Sequence, residues 1–113
     1  MWVNAARNAF LAGTRMRVRH AHRQLERLES DKQYHCGFPE NIVKRFRKRM
    51  QLIRQARDER DIRAFRSHRF EKLKGKRSHQ YSIRLNDQMR LIVEFEGEGQ
   101  EKVIVITGIE DYH

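Results

Sequence analysis

Arg84 and Arg90 are the first residues in this sequence whose spacing implies chemistry. Around them the chain alternates. Tyr81, Ile83 and Leu85 fall on one side with Ser82 and Arg84 on the other; past a turn, Met89, Leu91, Val93 and Phe95 alternate with Arg90, Ile92 and Glu94. This is the two-residue period of half-buried strands. A hairpin must keep its apolar sides together, which sets Leu85 opposite Met89 across a three-residue turn of Asn86, Asp87 and Gln88. The same register places Arg84 opposite Arg90 on the face turned away from the helices. Like charges facing each other repel by roughly 0.2–1 kcal/mol. An anion between them removes that penalty, so the pair reads as an anion site; the plainer alternative is two splayed, solvated side chains. An arginine fork can engage two oxygens of one phosphate.

The charge distribution favours the anion. The 113 residues hold 25 Lys and Arg against 15 Asp and Glu, a net charge of +10 and a pI near 10.5. Asn41 to Arg77 contains 15 basic and 4 acidic residues, whereas the rest of the chain is nearly balanced with 10 and 11. A basic face can be merely a solvated surface, but mixed-sign surfaces achieve solubility without such segregation. A polyanionic partner is the expectation.

Other chemistries find little support. Cys36 is the only cysteine, so no intramolecular disulfide can form and a reduced, cytoplasmic setting is expected. His20 and His22 stand two apart, a spacing that does not converge on one ion from a helix, and no Cys/His pattern resembles a zinc site. No metal and no cofactor are expected. No apolar run approaches the roughly 18 residues of a membrane span, so no membrane partner is expected. Met1 to Arg15 carries Trp2, Val3, Phe10 and Leu11 interrupted by Asn4, Arg7 and Asn8. This is a poor secretory signal and is taken as an N-terminal extension (1–15) to a single domain, 16–113, since the chain supports one core.

The elements that must position the arginines follow from periodicity. Met16 to Val18 forms a short edge strand, and Ala21, Leu25 and Leu28 mark a short helix ending near Ser30. After a loop from Asp31 to Phe38, Pro39 opens a helix with Ile42, Val43, Phe46, Met50 and Ile53 on one face. Lys44, Arg45, Arg47, Lys48 and Arg49 fill its remaining surface. Arg57 to Phe65 adds a short helix or turn, with Ile62 and Phe65 as apolar contacts. Phe70 and Leu73 bracket a short extended piece closed by Gly75, and Val103 to Ile109 reads as a strand covered on both faces. The class is α+β: two N-terminal helices packed on a mostly antiparallel four-stranded sheet.

That order, together with Phe70-Glu71-Lys72-Leu73-Lys74-Gly75, Tyr81-Ser82-Ile83-Arg84-Leu85-Asn86, Met89-Arg90-Leu91 and the terminal Glu110-Asp111-Tyr112-His113, resembles the HigB toxins of the RelE/ParE-like family. The likeness runs from about Met16 to the C-terminus. It implies a RelE-like fold and a type II toxin acting as a ribosome-dependent endoribonuclease on translated mRNA. It also implies neutralisation by a HigA-type antitoxin containing a helix-turn-helix. By this resemblance Lys74, Arg90, Asp111, Tyr112 and His113 fall in the active-site cleft. The chain departs from the pattern in two places. Glu71 stands where some HigB toxins have a functional histidine, and Met89 precedes the strand arginine where an aromatic residue is common.

Metal-free RNA cleavage can use the neighbouring 2′-hydroxyl as nucleophile, and then requires a base, an acid and cations for the charged phosphorane. Arg90 and Lys74 are the cation candidates, with Arg84 a third. His113 titrates near neutral pH and Asp111 can orient it; Glu71 is the alternative base. Tyr112 can stack on a base or donate to a phosphate. Lys44, Arg47 and Lys48 are the expected RNA contacts of the basic helix, or the place where an acidic antitoxin docks. The competing expectation is a non-enzymatic toxin on the same scaffold, directed at DNA gyrase or reduced to binding its antitoxin.

Overall fold

The structure, a computed structural model, describes residues 15–64 and 69–112. The expectations for the N-terminal extension, Phe65 and His113 therefore lie outside the described residues, apart from Arg15.

Strand β1 (Arg17–His20) is followed by helices α1 (Arg23–Ser30), α2 (Glu40–Gln55) and the short α3 (Glu59–Arg63). Strand β2 (Glu71–Lys72), a 3-10 turn (Gly75–Arg77), β3 (Gln80–Arg84), β4 (Met89–Glu96), a second 3-10 turn (Gly99–Glu101) and β5 (Val103–Asp111) complete the chain. The sheet order is β1-β5-β4-β3-β2. Only β1 runs parallel to its neighbour, β5; the other pairings are antiparallel. The sheet thus has five strands rather than the expected four. Both edges are short, which limits the exposed ladder of unpaired backbone groups.

Pro39 caps α2 and its carbonyl accepts from the Ile42 and Val43 amides. Its fixed backbone angle suits a helix start. Ile42, Val43, Phe46, Met50 and Ile53 are buried along one face of α2. They meet Leu25 and Leu28 of α1, Ile62 of α3, and Ile83, Leu85, Leu91, Val93, Ile104 and Ile106 of the sheet in one core. Full burial of each such aliphatic side chain stabilises by about 1.5–3 kcal/mol. Helices α1 and α2 are also joined by polar contacts. Arg47 donates to the Leu28, Asp31 and Tyr34 carbonyls at the C-terminal end of α1 (2.9–3.1 Å). Arg54 grips both Glu29 oxygens, one at 2.8 Å, and His20 Nε2 lies 3.0 Å from the same carboxylate. Burial raises the Glu29 pKa, but the Arg54 and His20 contacts outweigh it and hold the carboxyl down to about 2.

The expected hairpin register is observed. Arg84 faces Arg90, and Leu85 donates its amide to the Met89 carbonyl. Asn86 Oδ1 accepts from the Gln88 and Met89 amides, closing the turn. Between β4 and β5 the register shifts after Ile92, where Thr107 Oγ1 donates to the Ile92 carbonyl (2.8 Å). Such a bulge bends its strand.

Candidate functional site

The candidate chemistry lies on the face of the sheet opposite the described helices. Side chains on facing strand positions share a side, so the register defines two rows on this face. One runs Glu71, Ser82, Ile92, Gly108; the next runs Arg84, Arg90, Glu110.

Arg90 occupies the middle of the second row and is only 8% exposed. Its Nε and Nη1 are buried and have no hydrogen-bond partner among the described residues. The Tyr112 ring lies over it, with the guanidinium carbon 5.0 Å from the ring centroid. The Tyr112 amide is fixed by the Gln88 carbonyl at 2.6 Å. Tyr112 remains 43% exposed, the one large exposed hydrophobic residue among the described residues. A cation–π contact contributes about 0.5–2 kcal/mol, but it supplies no acceptor for the buried N–H groups. An unsatisfied buried donor costs about 1–3 kcal/mol, and more when charged. Arg90 is therefore a buried cation with no anionic partner among the described residues.

Its neighbours are otherwise engaged. Arg84 pairs with Asp87 in the turn. Both Glu110 oxygens are held by Arg77, at 2.9 and 2.6 Å. Glu94 pairs with His79 (3.0 Å) and Glu96 with Arg19 (2.8 Å). Ser82, in the adjacent row, is 1% exposed and its Oγ also has no partner among the described residues. At Gly108, which faces Ile92 in the adjacent row, an added Cβ would meet nothing within 4 Å.

The remaining expected residues divide. Glu71 is exposed, lies in the Ser82 row and makes no ion pair among the described residues. Strand spacing puts its Cα about 12 Å from that of Arg90, with Ser82 between them. Lys74 is exposed at the root of the 3-10 turn, just before Gly75 with its φ of +66°. That turn crosses toward β5, since Arg77 reaches Glu110. Asp111 is not brought together with Arg90. It faces Met89, which packs against the core, so strand alternation turns it to the helix side.

The basic helix also differs from expectation. Arg47 directs its donors to backbone carbonyls and is structural, whereas Lys44 and Lys48 are exposed, Lys44 beside Glu40 at 3.6 Å. Arg49, expected on the surface, is 9% exposed and donates to the Arg84 carbonyl (2.9 Å), while Arg45 donates to the Leu85 carbonyl (3.2 Å). These two arginines anchor the end of β3 that presents Arg84. Burial, then the charges of Arg45 and Arg84, lower the Arg49 pKa. Ser82, Arg49, Arg77 and Glu110 were not singled out by the sequence. Extending the register to β5 finds Glu110; nothing local finds the others.

Among the described residues no group of three or more His, Cys, Asp or Glu side chains is arranged to hold a metal, and no helix is long and apolar enough to cross a membrane.

Comparison with known proteins adds two findings. A family model described as the RelE-like toxin of the type II toxin–antitoxin system HigB matches residues 18–113. Among solved structures, the chain is similar to a YoeB/ParE toxin from Agrobacterium tumefaciens, with a TM-score of 0.53 and 15% identity. That alignment covers 87% of this chain and 100% of the other. At this identity the likeness is one of fold. No curated protein sequence matches the chain.

Proposed function

The chain belongs to the HigB-like family of RelE-like type II toxins, and from that premise we propose that it is an endoribonuclease cleaving translated mRNA on the ribosome without a metal. Membership of a type II system implies an antitoxin partner; we assign it to the HigA type, with a helix-turn-helix, acting in the cytoplasm. One observation carries the catalytic reading: a buried guanidinium with two donors that find no partner among the described residues, beneath an exposed aromatic ring.

In the proposed step a base takes the proton of a 2′-hydroxyl, and the 2′-oxygen attacks the adjacent phosphorus. The bond from phosphorus to the 5′-oxygen breaks and an acid protonates that oxygen, leaving a 2′,3′-cyclic phosphate and a 5′-hydroxyl. Arg90 meets the charge that builds on the non-bridging oxygens, where pre-organised donors are most effective. Tyr112 offers a stacking surface for a base, and Lys74 a second cation. Glu71 and His113 are the base and acid candidates. A phosphodiester laid over Ser82 would lie between Glu71 and Arg90. Lys44 and Lys48 contribute sequence-independent attraction to RNA. Asp111, on the other side of the sheet, is given no phosphate contact.

The test is cleavage of mRNA on programmed ribosomes, with mapping of the new 5′ ends. Wild-type protein is expected to cut in phase with codons, and Arg90→Ala to lose about 10²–10³ in rate, the effect of removing one charge-stabilising donor. Folded wild-type protein that leaves ribosome-bound mRNA intact rejects the proposal. Inhibition of DNA supercoiling by that same protein would instead support the gyrase-directed alternative.

A further inference from the structure

Arg90 and Glu110 face each other in register. Facing Cβ atoms in an antiparallel pair lie about 4.5–5.5 Å apart, well within the reach of an ion pair. A buried cation with unpartnered N–H groups attracts any nearby carboxylate, yet none of these donors meets Glu110. The explanation lies 33 residues earlier in the chain. Arg77 clamps Glu110 through two parallel bonds, Nη1 to Oε1 at 2.9 Å and Nη2 to Oε2 at 2.6 Å. Its Nε is set by Gln80 Oε1 at 2.7 Å. This two-pronged geometry fixes direction as well as distance. The Glu110 hydrogen bond raises the Arg77 pKa, as expected of an engaged guanidinium. The same segment disposes of a second acid on this face, since His79 lies 3.0 Å from Glu94.

We infer that Arg77 is a positioning residue that withholds Glu110 from Arg90, keeping the buried guanidinium open for a phosphate. The inference rests on the proposed role of Arg90 as the phosphate-binding cation. Without Arg77, the Glu110 carboxylate turns to the facing arginine and occupies its donors as an internal competitor. The chain would then inhibit itself without any change in fold.

The inference is tested with Arg77→Ala, Glu110→Gln and the double variant, each checked for native far-UV circular dichroism. On programmed ribosomes Arg77→Ala is expected to cleave at least tenfold more slowly, while Glu110→Gln stays within about threefold of wild type. The double variant should recover to within about threefold. Such rescue by a second loss is not produced by an Arg77 that contacts RNA directly or only supports the turn. A double variant as slow as Arg77→Ala, or an Arg77→Ala variant as fast as wild type, overturns the inference.

A second readout uses no RNA: the melting-temperature rise on adding inorganic phosphate, compared with the rise in Arg90→Ala. The Arg90-dependent part should be present in wild type, absent in Arg77→Ala and restored in the double variant. An undiminished response in Arg77→Ala overturns the inference independently of catalysis. Should Arg90→Ala cleave at the wild-type rate, the catalytic role of Arg90 fails, and the phosphate arm still decides whether Arg77 keeps Arg90 open.

Discussion

Replacing Arg90 by methionine is expected to abolish cleavage and, at the same time, stabilise the protein. Methionine is similarly long and apolar and has no donors to satisfy. The substitution relieves two buried, unpartnered nitrogens, Nε and Nη1, at about 1–3 kcal/mol each. It forfeits the cation–π contact with Tyr112, about 0.5–2 kcal/mol. Taking the middle of each range, about 4 kcal/mol relieved against about 1 lost, the balance is a gain of about 3 kcal/mol. For a domain of this size each kcal/mol moves the melting temperature by about 4 °C, so calorimetry should show a rise of about 12 °C. Conserving volume keeps packing losses small. Arg90→Ala serves as a contrast, since the cavity it leaves cancels much of the gain. A melting temperature for Arg90→Met at or below that of wild type would refute the reasoning: the guanidinium would then be satisfied where it lies, and no missing anion need be invoked.

Three further outcomes are expected. Tyr112→Ala should weaken binding of ribosome-bound mRNA by about 1–3 kcal/mol, the loss of one base–aromatic stack, while Tyr112→Phe retains most of it; equal loss in both, measured as KM, would assign the role to the hydroxyl. Glu29 should confer acid-sensitive stability. Its folded pKa of about 2 lies below the ordinary 4.5, so the contribution is complete above about pH 4.5 and disappears as pH falls toward 2. The full shift corresponds to roughly 3 kcal/mol, reduced by solvent screening to about 1–2, and urea titrations of Glu29→Gln should show that difference at pH 7 and little at pH 2. Arg47→Ala should destabilise by about 2–4 kcal/mol, because three carbonyls lose a charged donor, and the salt dependence of ribosome association should stay as in wild type. Reversing Lys44 and Lys48 to Glu should instead flatten that dependence.

The coexistence of a well-packed core with a buried cation that is unpaired among the described residues fits the pattern in which functional sites carry a local cost borne by the rest of the fold. Among the described residues the helices pack on one side of the sheet. The opposite face carries a guanidinium, a serine hydroxyl and Gly108 beside the buried Ile92 and Val105, groups that would not be tolerated among Leu91, Val93 and Ile104.

Alternation determined which strand residues share a face, and together with the short turn of Asn86, Asp87 and Gln88 it set the Arg84–Arg90 juxtaposition, because a period of two restricts the register and the turn length selects among the registers that remain. The helical period likewise determined the buried face of α2. What sequence could not decide is which charges remain unpaired. Arg77 and Glu110, Arg47 and the C-terminal end of α1, and Arg49 and the end of β3 are each separated by many residues, and a local period carries no information about such distant partners. Only the folded chain, by placing the 75–79 segment across the sheet and α2 against the end of β3, engaged most of the arginines and left Arg90 with no anionic partner among the described residues.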